Sequence, residues 1–331
     1  MNDKYMRHRI FFGLVIAGIG ISGLVVSMFF LKPESPRSEN DPGHPLQVVA
    51  SFFPYAEFAR VVAGETASVT TLVPSGVEPH DFEPTPRDME KLYRADVVIL
   101  NGAGIDAWAE KLVPELARRG IRVVRMTDFM DPLPVTEESH EPGVSEDDAH
   151  DAHEESGLDP HFWLDPVLAE TQIERIAEAF SETDPIHRTQ YESRKETAVE
   201  ALRSLDQEYV SGLRTCRLRT VVTAHDAFTY LAKRYTLEVV SIAGLSPNAE
   251  PSPGRMVEII RLVRERDIRY IFFETLSSPE LSETLAREAG IGTLVFNPIE
   301  GGMIGEDGSP ETYFGLMRQN LTHLRTALEC L

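Results

Sequence analysis

Short apolar runs alternate with amphipathic stretches along most of this chain. Residues 47–53, 68–73, 95–100 and 121–126 are runs rich in β-branched residues and too short for helices, the third bounded by Asn101 and Gly102. Residues 55–63, 87–93 and 105–118 lie between or beside them and space their apolar positions at helical intervals. After a polar interruption at 135–160, helical spacing returns over 168–180 and, behind Asp184-Pro185, over 186–213. Strand runs at 220–223, 238–242, 270–273 and 293–296 then alternate with helices at 227–235, 255–265, 279–289 and 312–329. Such alternation predicts an α/β fold with parallel sheets covered on both faces. A helix over 186–213 would be about 42 Å long at 1.5 Å per residue, more than one small domain needs. The expected architecture is two parallel-sheet α/β lobes, 46–185 and 214–331, joined by a long rigid helix at 186–213.

The most apolar stretch lies outside that pattern. Residues 10–31 carry no charge and follow Lys4, Arg7 and Arg9. The stretch is long enough to cross a bilayer, which takes about 20 apolar residues. With the basic flank held on the cytoplasmic side, everything after Leu31 is expected to be exported. Residues 1–31 read as an uncleaved membrane segment, with a signal cleaved after Ser27 as the alternative. No cysteine lies nearby, so a lipid anchor is not expected. Residues 32–45, rich in Pro, Ser, Glu and Asp, read as a linker.

Composition narrows the classes. The 331 residues are 42% hydrophobic and 26% charged, which describes an ordinary globular protein. A formal net charge of −21 argues against nucleic acid or anionic lipid as a partner of the folded part. Residues 135–160 are dense in Asp and Glu, contain no Lys or Arg, and hold His140, His150 and His153. They predict a mobile acidic loop, either simply solvated or an auxiliary site that binds metal loosely. Cys216 and Cys330 are the only 2 cysteines, and export permits them to pair; two small buried hydrophobes are the alternative.

Candidate chemistry sits in loops. His80 lies in the proline-rich stretch PSGVEPHDFEPTP, residues 74–86, after a strand run and before a helix. His161, His225 and Glu300 occupy comparable places, at a strand end or entering a helix. Open α/β sheets place ligand groups at such positions. Three imidazoles and a carboxylate suit Zn²⁺. Asp81, Asp165 and Asp226, each near a histidine, are candidates to accept the other imidazole N–H. The four residues are too far apart in sequence to form a local motif, so separate helix-capping or surface roles stay open on chemistry alone.

Four stretches carry a resemblance that joins them: GVEPHDFEPTPRDMEKLYRADVVILNG, GLDPHFWLDP, TAHDAFTYLAKRYTLEVVSIAGLSPNAEPSP and FNPIEG. From about Val48 to Cys330 the chain resembles the metal-specific solute-binding proteins of ABC importers, and most of all their zinc-uptake branch. The resemblance implies that His80, His161, His225 and Glu300 coordinate the metal, with Glu78 or water in reserve should Glu300 not reach. It implies no enzymatic activity, a transported Zn²⁺, and small lobe movements. It also implies a partner permease with its cytoplasmic ATPase, and location in the periplasm or on the outer face of the cytoplasmic membrane. A monomer is expected, held to that membrane through residues 1–31 or released.

Two rivals follow. A manganese- or iron-binding member would prefer more oxygen donors, and His225, where a carboxylate would serve those ions, argues for zinc. An exported zinc hydrolase needs an open coordination position and a base, and no H-E-x-x-H stretch is present. An adhesin role, which the family sometimes acquires, leaves no mark in the sequence.

Overall fold

In the computed structural model, which describes residues 44–134, 157–245, 247, 251–276, 278–305 and 308–331, the first apolar run becomes one of the two inner strands of a sheet. β1 (Leu46–Ala50), β2 (Ala67–Thr71), β3 (Val97–Leu100) and β4 (Arg122–Arg125) lie in the order β2-β1-β3-β4. All pairings are parallel, with Val48 opposite Val69 on one side and Val97 on the other. β3 is buried at every position, as expected of an unbroken VVIL run covered on both faces.

α1 (Phe53–Ala63) packs on β1 and β2. α2 (Pro86–Arg94) starts at a capping box in which Thr85 and Asp88 each bind the other's backbone N–H. The single amphipathic helix expected over 105–118 is instead two short ones, α3 (Ala107–Glu110) and α4 (Val113–Arg118). Pro114 has no N–H to continue a helix and is suited to the first turn of a new one. Asp106, just before α3, is turned back to accept the N–H groups of Asn101 and Gly102.

α5 (Pro166–Thr183) precedes the linking helix α6 (Arg188–Leu213), whose 26 residues span about 39 Å. It begins after a 3-10 turn at Pro185–His187, slightly later than expected. Its buried stripe includes Tyr191, Ala198, Leu202, Leu205, Tyr209 and Leu213, at intervals that keep one face inward.

The second lobe contains β5 (Thr220–Thr223), α7 (Thr229–Tyr235), β6 (Glu238–Ser241), α8 (Pro253–Glu265), β7 (Tyr270–Phe273), α9 (Glu280–Ala289), β8 (Gly292–Val295) and α10 (Tyr313–Ala327). β5 pairs with β6 and β7 with β8, both parallel, and β5 runs alongside β7. α6 lies against α1 and α5 of the first lobe and α10 of the second. Along it, Arg194 donates to the Ala63 carbonyl and the Tyr209 hydroxyl donates to that of Met317.

One core runs through both lobes. Phe58 of the first lobe meets Tyr313 of the second edge-on at 4.8 Å, and Phe162 of the first meets Tyr230 of the second edge-on at 6.1 Å. Pulling the lobes apart would expose such side chains, at about 1.5–3 kcal/mol for each phenylalanine. A disulfide joins Cys216, just past α6, to Cys330, just past α10. Among the described residues no helix is long and apolar enough to cross a membrane. The segment expected at 10–31 lies outside them, as do His140, His150 and His153.

Candidate metal centre

Parallel strands send their carboxyl ends to one edge of a sheet, and the chain turns there into loops. His80 lies beyond β2 in a 3-10 turn, Pro79–Asp81, which the Glu78 side chain caps by accepting the His80 N–H. His161 precedes another such turn, Phe162–Leu164, which leads into α5. His225 follows β5 and Glu300 follows β8. These four side chains, distant in sequence, converge: one donor atom from each lies within 4.8 Å of all the others. Oε1 of Glu300 is 3.2 Å from Nε2 of His161, 3.6 Å from that of His225 and 3.7 Å from that of His80.

The three histidines share a further feature. Each donates its backbone N–H to a carboxylate: His80 to Glu78, His161 to Asp159 and His225 to Glu274. Two of these acids also bind the ring. Asp159 lies 2.8 Å from Nδ1 of His161, and Glu274 lies 2.5 Å from Nδ1 of His225. That pairing puts an N–H at Nδ1 and turns Nε2, the atom free to donate to a metal once it is deprotonated, toward Glu300.

Two of the three aspartates proposed from sequence, Asp165 and Asp226, bind other groups. Asp165 caps α5 by accepting the Val167 N–H and forms a two-oxygen contact with Arg234. Asp226 accepts the Thr229 hydroxyl. Asp81 is exposed at the end of its turn. An acid beside a histidine at a helix start is drawn to the free backbone N–H groups there. Asp159 was within reach of sequence reasoning, because an Asp often bonds the N–H two residues on. Glu274 directly follows β7, a strand end like the others, but nothing local ties it to His225.

Burial sharpens the electrostatics. His161, His225 and Glu300 are buried and His80 nearly so. Burial pushes the Glu300 carboxyl up, but the three imidazoles outweigh it and leave it well below the usual range. Burial disfavours charge on His161, yet Asp159 and Glu300 carry its pKa up to about 9. His225 is likewise depressed by burial and then lifted well above its ordinary value by Glu274 and Glu300. For His80 burial prevails over Glu300, and the pKa falls. Glu78 is pushed up to about 8 by burial and by the charge of Glu300.

Nε2 of all three histidines and both oxygens of Glu300 are buried without a hydrogen-bond partner among the described residues. Leaving one buried polar group unsatisfied costs about 1–3 kcal/mol, so five together need an explanation. A cation supplies it. Bonds of about 2.0–2.1 Å in a tetrahedron put donors roughly 3.3 Å apart, close to the spacings from Glu300.

Three devices aim Glu300. Ile299, before it, has φ 61°. A β-branched residue there costs on the order of 1–3 kcal/mol and persists only when its surroundings impose it. Asn297 accepts the Ile299 N–H through its side chain and is itself held by Asn320 of α10 on both its N–H and its carbonyl. After Glu300, Gly302 passes so close to the His80 loop that a Cβ would lie 3.0 Å from Oγ of Ser75. None of these features has a signature in local sequence.

The family described as ZnuA, zinc-uptake complex component A periplasmic, matches residues 48–327. Zinc-binding lipoprotein AdcA of Streptococcus pneumoniae is 35% identical over 308 residues, covering 92% of this chain and 60% of AdcA. The crystal structure of its Zn(II)-bound form superposes with a TM-score of 0.72 at 34% identity, covering 86% of this chain and 58% of that one. High-affinity zinc uptake system protein ZnuA of Bacillus subtilis is 34% identical over 291 residues, or 88% of this chain and 90% of that protein. The laminin-binding protein Lmb of Streptococcus agalactiae, described as bifunctional with adhesin and metal transporting activity, gives a TM-score of 0.75 at 29% identity over 86% of this chain and 100% of that one. The chain spans about 60% of the length of the AdcA relatives.

Proposed function

This chain belongs to the ZnuA family of periplasmic zinc-uptake components, and we propose that it captures Zn²⁺ outside the cytoplasm and delivers it to the permease of an ABC-type importer. In this reading His80, His161, His225 and Glu300 hold the ion between the lobes, and the importer's cytoplasmic ATPase drives uptake. The observation that carries it is the convergence of buried, unpartnered donor atoms in one place. Among the described residues no other side chain hydrogen-bonds to them, and a dication would take one donor atom from each of the four.

Zinc is favoured over manganese or iron because three of the four side chains offer nitrogen. Two carboxylates behind the imidazoles add negative charge without occupying the metal's own shell. A hydrolase would need an open position on the metal, whereas four protein donors close a tetrahedral site. The relatives are named as zinc-binding and zinc-uptake proteins rather than enzymes.

The working unit is a monomer of two lobes, 46–185 and 214–331, joined by the helix at 186–213. It is placed in the periplasm or on the outer face of the cytoplasmic membrane, anchored by residues 1–31 or released from them. The shared aromatic core keeps the lobes from swinging widely, so release of the ion is a matter of small shifts. Competition against a chromophoric zinc chelator tests capture. The protein should win zinc from the chelator, and the His80→Ala, His161→Ala, His225→Ala triple variant should not. Equal zinc affinity in the two would overturn the proposal.

A further inference from the structure

His161 and Glu300 approach the cluster on different segments, and those segments are bonded to each other. The indole N–H of Trp163, two residues after His161, donates at 2.8 Å to the carbonyl of Pro298, two residues before Glu300. Trp163 is fully buried. Its own carbonyl accepts the Tyr313 hydroxyl at 2.8 Å, and its ring lies 5.2 Å from that of His161. Tyr313 opens α10, the helix whose Asn320 holds Asn297. The turn that aims Glu300 is therefore clamped on two sides, by Asn320 at Asn297 and by Trp163 at Pro298. Between the clamp and the carboxylate lies Ile299, in a left-handed conformation it would leave if freed. The Glu300–His161 distance is also the shortest of the three carboxylate–imidazole distances, at 3.2 Å.

We propose that Trp163 is a positioning residue for the metal site, its N–H on Pro298 coupling the His161 segment to the Glu300 loop so that the carboxylate completes the donor set. The proposal rests on the reading of Glu300 as a metal ligand. Removing the N–H while keeping an aromatic ring leaves the Pro298 carbonyl buried without its donor. The loop then relaxes toward negative φ at Ile299 and Glu300 withdraws, leaving three imidazoles. The indole thus decides whether the site has three protein donors or four.

The test is a cycle of wild type, Trp163→Phe, Glu300→Ala and the double variant. Zinc dissociation constants come from chelator competition, and Co²⁺ serves as a visible probe of coordination. Trp163→Phe should weaken zinc binding about 10-fold or more. It should also move the Co²⁺ spectrum toward that of Glu300→Ala, and should add no further loss in the Glu300→Ala background. If Glu300→Ala binds zinc as tightly as wild type, the reading of Glu300 as a ligand fails, and this inference with it. If Glu300→Ala is weakened but Trp163→Phe is not, or its loss persists in full without Glu300, the positioning role alone fails. Should circular dichroism show Trp163→Phe unfolded, Tyr313→Phe goes through the same cycle. That variant removes only the hydroxyl on the Trp163 carbonyl. A loss that vanishes without Glu300 supports the coupling, and unchanged affinity overturns it.

Discussion

Glu274 grips His225 at two points: one oxygen accepts the residue's backbone N–H at 3.1 Å, and the other meets its ring Nδ1 at 2.5 Å. The imidazole can then neither rotate nor change tautomer without losing a buried, charged contact. Glu274→Gln keeps the shape and removes the charge. Zinc affinity should fall about 10- to 100-fold, as for other partners of metal-ligating histidines. Isothermal titration in the presence of a chelator measures it. Unchanged affinity would mean that His225 needs no such support.

Protons compete with the metal. His161 has a pKa of about 9 and His225 sits well above its ordinary value, whereas His80 is lowered. At pH 7 the metal-free cluster therefore carries imidazolium, which must lose its proton before Nε2 can donate to a metal. Apparent zinc affinity should rise with pH up to about 9, well beyond the value near 6.5 that an unperturbed histidine would set. Calorimetry in buffers of different ionisation enthalpy at pH 7 should detect proton release on binding. Zinc uptake with no proton release would contradict this.

Removing the ion should soften the fold. A ligand that binds only the native state at 100 times its dissociation constant stabilises by about 2.7 kcal/mol. For a folded unit spanning Pro45–Leu331 that is roughly 4–5 °C in Tm. Thermal scans with zinc and with excess chelator should differ by that much. Identical curves would show that the native state gains nothing from zinc.

The disulfide closes a loop between positions 114 residues apart. On the chain-entropy model its removal costs about 4–5 kcal/mol, and less where the open chain retains structure. The Cys216→Ser, Cys330→Ser variant should unfold at clearly lower urea concentration. A midpoint within experimental error of wild type would show that the helices around it hold the carboxyl terminus without help.

Much of the architecture was legible because its causes are local. β3 reads as a buried strand from four consecutive apolar residues, and the stripe from Tyr191 to Leu213 reads as one helix from its spacing. Where a local cue was ambiguous, boundaries moved, as where Pro114 opened a second helix inside 105–118. The residue types and loop positions of His80, His161, His225 and Glu300 were also visible, since strand-to-helix turns follow from the same patterns.

By itself, then, the sequence determined the alternation of strands and helices, the strand-end placing of the candidate donors, and the chemistry those donors offer. Only the tertiary structure decided that they meet, which carboxylates stand behind them, and what holds Glu300 in reach. The physical reason is that backbone pattern depends on neighbours along the chain, whereas ring partners depend on neighbours in space. Asp165 and Asp226 are close to histidines in sequence but answer to a helix terminus, an arginine and a threonine. Glu274 lies 49 positions from His225, and Trp163 lies 135 from Pro298. Such contacts exist only once the lobes have packed.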